Sequence, residues 1–213
     1  MNDDLANLGE LAADGYGIAV FSPAAFNSFL EERKCRARKY ITYFDKNKQL
    51  FFDLIKAGIL LPFYQIPSFQ YSLFTSVDKE TVSIPEGYKV IYHYKDFFIT
   101  IGTDQKICFA SFNFLEHYKD KIDAGETDFG KEIPSGSPSK PEWYNAALST
   151  PIESGEYQFD LYGLTRVNAL DRESKNFAFL FAFRKSLNPI KDNFQKCDND
   201  LHQFNIVQAY RNN

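Results

Sequence analysis

The side chains in this sequence that could carry acid–base or nucleophilic chemistry are few and far apart. There are three histidines, His93, His117 and His202, and three cysteines, Cys35, Cys108 and Cys197. No histidine stands at metal-ligand spacing from a second histidine or a carboxylate. The sequence contains no His-Glu-x-x-His, Cys-x-x-Cys, Gly-x-Ser-x-Gly or Walker-type Gly-Lys-Ser/Thr pattern. His93 falls in an alternating stretch, where it is either a general base or, on the reading we favour, a partly exposed sheet histidine. His117 follows Glu116 and reads as part of a solvated face. Cys108 alternates within an apolar run and reads as a small buried hydrophobe. A Cys108/His93 or Cys108/His117 nucleophile pair would require the fold to bring them into hydrogen-bond reach. Asp160 lies mid-strand between Phe159 and Leu161. If its face is covered it must be paired. If that face is open it is the polar half of an alternating strand, and this is the expectation. No catalytic residue, no metal ligand and no cofactor is assigned.

The element that must position everything else is Phe177–Phe183, Phe-Ala-Phe-Leu-Phe-Ala-Phe. Side chains along a strand alternate between faces, so the four phenylalanines share one face and Ala178, Leu180 and Ala182 the other. Neither face is polar, which predicts a central strand covered on both sides. Lys175, Asn176, Arg184 and Lys185 flank it as gatekeepers. Before it, Glu156–Leu164 alternates, with Tyr157, Phe159 and Leu161 on one face, predicting a hairpin with the phenylalanine strand nearer the sheet centre.

Upstream, Leu5, Leu8, Leu11 and Ala12 have helical spacing, with Asp3 and Asp4 at the start and Gly15 as a stop, predicting a helix over 3–14. Residues 16–21 predict a short strand. Gly15-Tyr16-Gly17 precedes it, so it is not a dinucleotide fingerprint. Ser22-Pro23 predicts a capped helix to about Lys34. Asp45 is placed as the cap of a third helix, 46–57, ended by Gly58. Residues 59–66 contain Pro62 and predict an edge strand, and 69–74 another short strand. Residues 88–112 predict three antiparallel strands turned at Lys95-Asp96 and at 102–105. Asn113 and Glu116 suggest a capping pair for a helix over 114–122. Residues 124–141, rich in Gly, Pro and Ser, predict a surface loop within one domain spanning 1–213. Residues 200–210 are left open between strand and helix. The fold class is α+β, a mainly antiparallel sheet with N-terminal helices packed on it.

The chain has 213 residues, a net charge of −4, 22 phenylalanines and 13 tyrosines. Such an aromatic core suits sheets. The acidic balance argues against a nucleic-acid partner. The odd, scattered cysteines define no disulfide framework and read as reduced thiols. The acidic N-terminus is not signal-like, and no apolar run approaches the roughly 20 residues that span a bilayer. The expectation is a cytoplasmic protein without a membrane partner. The sole basic run is Arg33, Lys34, Arg36, Arg38, Lys39, Lys46 and Lys48, interleaved with Tyr40, Tyr43 and Phe44. It reads as an anionic-ligand patch or, preferably, as a solvated face with its aromatics turned inward.

Trp143-Tyr144, beside the Gly/Pro/Ser-rich stretch, reads as a loop anchor or an interface hot spot. The stretch Ile152-Glu153-Ser154-Gly155-Glu156-Tyr157-Gln158-Phe159-Asp160-Leu161-Tyr162-Gly163, leading to Phe177–Phe183, resembles the C-terminal hairpin of bacterial toxin-immunity proteins. That resemblance, over about a sixth of the chain, implies a cytoplasmic protein that specifically binds a toxin; the missing catalytic patterns and the acidic balance add the expectation that it is non-catalytic and neutralises a basic toxin or enzyme by direct binding. The resemblance supplies no site residue. The residues offered for partner contact are Trp143, Tyr144, Glu153, Glu156, Asp171 and Glu173. Two other readings stand beside it. One is a hydrolase-type enzyme whose site is dispersed, pairing His93 or His117 with a carboxylate. The other is a sugar- or ligand-binding module using Trp143 and the tyrosines.

Overall fold

The phenylalanine strand is buried along Phe177–Phe183, as a strand apolar on both faces demands. The computed structural model describes residues 5–133, 142–197 and 202–212. In chain order the first elements are β1 (Ala6–Ala12), β2 (Gly17–Phe21), α1 (Pro23–Glu32), α2 (Tyr40–Lys46), α3 (Lys48–Lys56), β3 (Leu60–Tyr64) and β4 (Gln70–Val77). Then come β5 (Tyr88–Ile101), β6 (Lys106–Ser111), α4 (Phe112–His117), α5 (Lys119–Asp123), β7 (Phe129–Ile133) and β8 (Glu142–Pro151). The chain closes with β9 (Gly155–Arg166), β10 (Phe177–Lys185), α6 (Asn193–Lys196) and α7 (Ile206–Arg211). No helix among the described residues is long and apolar enough to cross a membrane.

The protein is α+β, built on a mixed sheet of order β3-β2-β6-β8-β1-β4-β10-β9-β5, with β7 paired to β8. β10 runs parallel to β4, and β1 meets β8 in parallel at Leu11–Asn145. The expectation of a mainly antiparallel sheet is corrected to a mixed one. Its parallel pairs join strands from distant parts of the chain, which local turn signals do not reveal.

The sheet curls until its edges face each other. The ring of Phe63 on β3 packs edge-on against Phe97 on β5, with centroids 5.4 Å apart. The seam is closed by side chains and loop backbone. Asn193 is fully buried; Phe98 N–H donates to its Oδ1 at 2.7 Å, and its Nδ2 reaches Phe98 C=O at 2.7 Å and Ile55 C=O at 3.0 Å. It thus pairs with the edge of β5 as a neighbouring strand would. Thr100 N–H donates to Gly58 C=O at 2.8 Å beside it.

Three cores follow from this curvature. The inward faces fill the interior with Phe63, Tyr71, Phe97, Phe109, Phe159 and the four phenylalanines of β10. Outside, α1–α5 cover β2, β3, β6 and β8 through Phe26, Leu30, Phe44, Leu54, Phe114 and Ile122. On the other face of β10, Ala178 and Leu180 join Phe74 and Leu164 of the neighbouring strands, with Leu5, Val82 and Ile84 packed on them. Burial of the large side chains of this cluster, Phe74, Leu164 and Leu180, stabilises by roughly 2 kcal/mol each.

Several local expectations are corrected. The 3–14 helix is β1 over its described part. Gly9 (φ 104°) sits at a bulge against β4, and its N–H donates to Asn7 Oδ1 at 3.0 Å. A bulge shifts the alternation by one residue, so Leu8 and Leu11 both reach the interior and imitate helical spacing. Lys95-Asp96 is likewise a bulge and not a turn. β5 continues through it along β9, with Asp96 in the left-handed region (φ 61°). β6 leaves β5 altogether and pairs with β2 and β8. Ser22 does not cap α1 through its side chain. Asp104 takes that end, accepting from Ala24 N–H at 3.1 Å and from the Ser22 hydroxyl at 3.0 Å. Asp45 lies inside α2, and Asn47 precedes α3. Ser111 caps α4, so Asn113 and Glu116 are not a capping pair. Part of the expected 124–141 loop is strand β7; residues 134–141, like 1–4 and 198–201, lie outside the described residues. The open segment near 200–210 contains helix α7.

Candidate functional site

Strand register brings together the one histidine–carboxylate pair seen among the described residues. β10 and β5 both pair with β9, placing Ala182 opposite Asp160 and His93 opposite Tyr162. On the outer face, Asp160 then lies between side chains of both neighbours. Arg184 Nη2 donates to its Oδ1 at 2.8 Å, Asp96 N–H donates to the same oxygen at 3.1 Å, and His93 Nε2 lies 3.0 Å from Oδ2. The His93 ring stacks on Tyr162 at 4.0 Å, nearly parallel. The side chain of Asp160 is only 7% exposed, against 28% for His93 and 40% for Arg184. The expected open face is therefore wrong, because the β5 bulge folds Asp96 over it. Burial alone would raise the Asp160 pKa, but the bonds from Arg184, the Asp96 N–H and His93 outweigh it and hold the carboxyl below its usual range.

Geometrically this is a carboxylate orienting an imidazole, the arrangement a general base uses. Its Oδ1 is already committed to Arg184 and the Asp96 N–H, while Oδ2 faces His93. Arg184 carries this cluster, yet the sequence marks it only as a gatekeeper, because its place beside Asp160 is set by the register of β10 on β9. The depressions at Asn7–Ser72–Tyr88–Arg166, at Arg36–His117–Lys119 and at Tyr16–Tyr64–Phe112 are open to solvent, and none includes His93 or Asp160. Cys108 is fully buried in the helical layer, and burial pushes its thiol pKa well up, so it is the small hydrophobe expected. No group of three or more His, Cys, Asp or Glu that could hold a metal ion occurs among the described residues.

The six residues offered for partner contact do not share one face. Trp143 is the second residue of β8 and is 66% exposed, lying against Gly130 of β7, where any side chain would strike the indole. Tyr144, next to it on the opposite face, is buried in the helical layer. Glu153 follows the far end of β8, eight residue steps from Trp143 to Pro151, which is roughly 26 Å of strand. Glu153 pairs with Lys185 at 2.8 Å, and that bond lowers its pKa. Glu156 pairs with Lys191 at 2.5 Å and Glu173 with Arg211 at 2.7 Å. Asp171 is exposed in the loop beyond β9. The acidic residues thus lie at opposite ends of β9, and three of the four are matched by a cation.

In the basic run Tyr40 and Phe44 turn inward, Tyr43 is half-buried, and the cations stay on the surface.

No family model matches the chain, and no curated protein matches it. Two solved structures are similar to it at a low level. One is ComJ, inhibitor of the DNA degrading activity of NucA, from Bacillus subtilis, which is 10% identical with a TM-score of 0.41, over 85% of this chain and 98% of that one. The other is described as Crocagin biosynthetic gene J, 7% identical with a TM-score of 0.40, over 86% of this chain and 96% of that one.

Proposed function

We propose that this chain is a non-catalytic binding protein of the immunity type, which neutralises a partner protein by covering part of its surface. The observation that carries this reading is Trp143, a large aromatic held on a paired strand, against a glycine, with 66% of its surface exposed. A rigid exposed tryptophan is the kind of group that dominates interface energies. The aromatic interior offers the complementary support, since it is filled by its own side chains. The net charge of −4 favours a basic protein partner over nucleic acid, and opposite charge would speed encounter. A cytoplasmic location, no membrane partner and a bacterial toxin as target are the finer parts of the same reading. Glu153, Glu156, Asp171 and Glu173 would act in steering, with Tyr144 supporting Trp143 from below.

The test is capture of the partner by the purified chain from its native cell, with the neighbouring genes present and deleted. One stoichiometric protein whose retention falls roughly thirtyfold on Trp143→Ala, about 2 kcal/mol, is the expected result. The hydrolase reading has the 3.0 Å His93–Asp160 contact in its favour. It predicts turnover of chromogenic esters that disappears in His93→Ala, whereas the binding reading predicts none in either protein.

A further inference from the structure

The chain has seven arginines, and five of them are engaged. Arg33 pairs with Asp53 at 3.2 Å and lies over the Phe29 ring. Arg166 donates to Lys175 C=O at 3.2 Å and lies over Tyr88. Arg184 holds Asp160, Arg211 holds Glu173, and Arg172 has a partner as well. Arg36 and Arg38 make no hydrogen bond or ion pair among the described residues, and both line the same depression.

Local structure turns them the same way. α1 is followed by Lys34 in the left-handed region (φ 53°), with Cys35 N–H donating to Leu30 C=O at 2.8 Å. Ala37 packs on the helical-layer core, and Tyr40 is buried at the start of α2. The segment is therefore pinned at both ends and in the middle, leaving the alternate positions 36 and 38 exposed together. The opposite wall is His117, Lys119 and Asp120. Lys119 is fixed by the Tyr40 hydroxyl at 3.0 Å and by Asp123. Burial alone would lower its pKa, but those bonds outweigh it and keep it charged. Of the nearby acids, Asp123 is matched by Lys119, and Glu116 is taken by the Thr42 N–H and hydroxyl. Asp120 remains on the wall itself.

We propose that this depression binds a small phosphate-bearing anion, gripped by Arg36 and Arg38 with Lys119 fixed opposite. Two guanidinium forks without protein acceptors offer paired N–H donors in the geometry that phosphate oxygens accept, which a lysine pair does not. A small anion suits the site better than a polynucleotide, because the patch is single and the whole chain carries −4. The site is separate from Trp143 and does not rest on the protein-binding reading.

The experiment is calorimetric titration at constant ionic strength with inorganic phosphate, pyrophosphate, a nucleoside monophosphate and a short single-stranded oligonucleotide. The proteins are wild type, Arg36→Gln/Arg38→Gln, and Lys56→Gln/Lys89→Gln, which removes the same charge from exposed positions elsewhere. The expected result is saturable binding of at least one small phosphate compound, weakened about tenfold or more in the arginine variant and unchanged in the lysine variant. Circular dichroism and unchanged melting would show that both variants remain folded. Equal weakening in the two variants, no saturable binding of any small phosphate compound, or binding of the oligonucleotide alone would overturn the proposal.

Discussion

Two places in this molecule hold an arginine, a histidine and an aspartate, and they are put to opposite use. On the outer face of β9–β10, Arg184, His93 and Asp160 meet one another, and the carboxylate is nearly sealed from water. At the rim of the helical layer, Arg36, Arg38, His117 and Asp120 surround an open depression, and the two arginines meet no carboxylate. In composition the two sets are alike. The first is internally satisfied, so its charge contributes to stability; the second leaves donors directed at solvent, so its charge is available to something else. A buried charge must be paired and an exposed one need not be, so the pairing and not the residue type separates the two.

Substitutions should divide along the same line, and the largest effect lies beneath the satisfied network. Phe181→Asp places an unpaired carboxylate among Phe63, Phe109 and Phe159. It should cost more than about 4 kcal/mol and abolish the cooperative unfolding transition in urea; a soluble, cooperatively folded variant would show that Phe181 is not buried between β4 and β9. Asn193→Ala should cost about 2–3 kcal/mol, because it leaves Phe98 N–H and C=O at the seam without their side-chain partner, while Ile55 C=O keeps the Gly58 N–H, and urea melts read this directly. Arg184→Ala should cost about 2 kcal/mol at neutral pH, less than a fully buried pair since Arg184 is 40% exposed. The folded pKa of Asp160 is depressed below its ordinary 3.8. Its stabilisation is therefore complete above that value and lost as pH falls through the lower folded pKa. Arg184→Ala should move the acid-unfolding midpoint to higher pH, and an unchanged midpoint would remove Asp160 from the network. Smallest of all, Arg36→Gln/Arg38→Gln should change stability by no more than about 0.5 kcal/mol. A large loss there would mean that those arginines serve the fold after all.

What could be read from the sequence follows from how local the determining contacts are. The Phe177–Phe183 strand, its hairpin with β9, the Pro62 edge strand and the helix after Ser22-Pro23 all declare themselves through neighbours in sequence. β1 did not, because the Gly9 bulge makes a strand's leucines recur at helical spacing. β5 read as two strands because the left-handed Asp96 suits a turn as well as a bulge. β8 gave no alternation signal beyond Trp143-Tyr144, and its place between β6 and β1 depends on partners far away in the chain. Asp160 is the instructive residue: its alternation correctly gave the outer face, but that face is covered by Arg184 and Asp96, residues 24 and 64 positions away. The basic run is plain in the sequence; that Arg36 and Arg38 lack protein acceptors depends on tertiary contacts that no local pattern carries.

The measurement that bears most directly on the central claim is affinity capture from the native cell, run in parallel with wild type, Trp143→Ala and Arg184→Ala. A binding protein of the immunity type should show a single stoichiometric protein partner held by wild type, lost with Trp143→Ala, and retained by Arg184→Ala at a temperature where that variant is folded. No stoichiometric partner, or equal retention with Trp143→Ala, would contradict it.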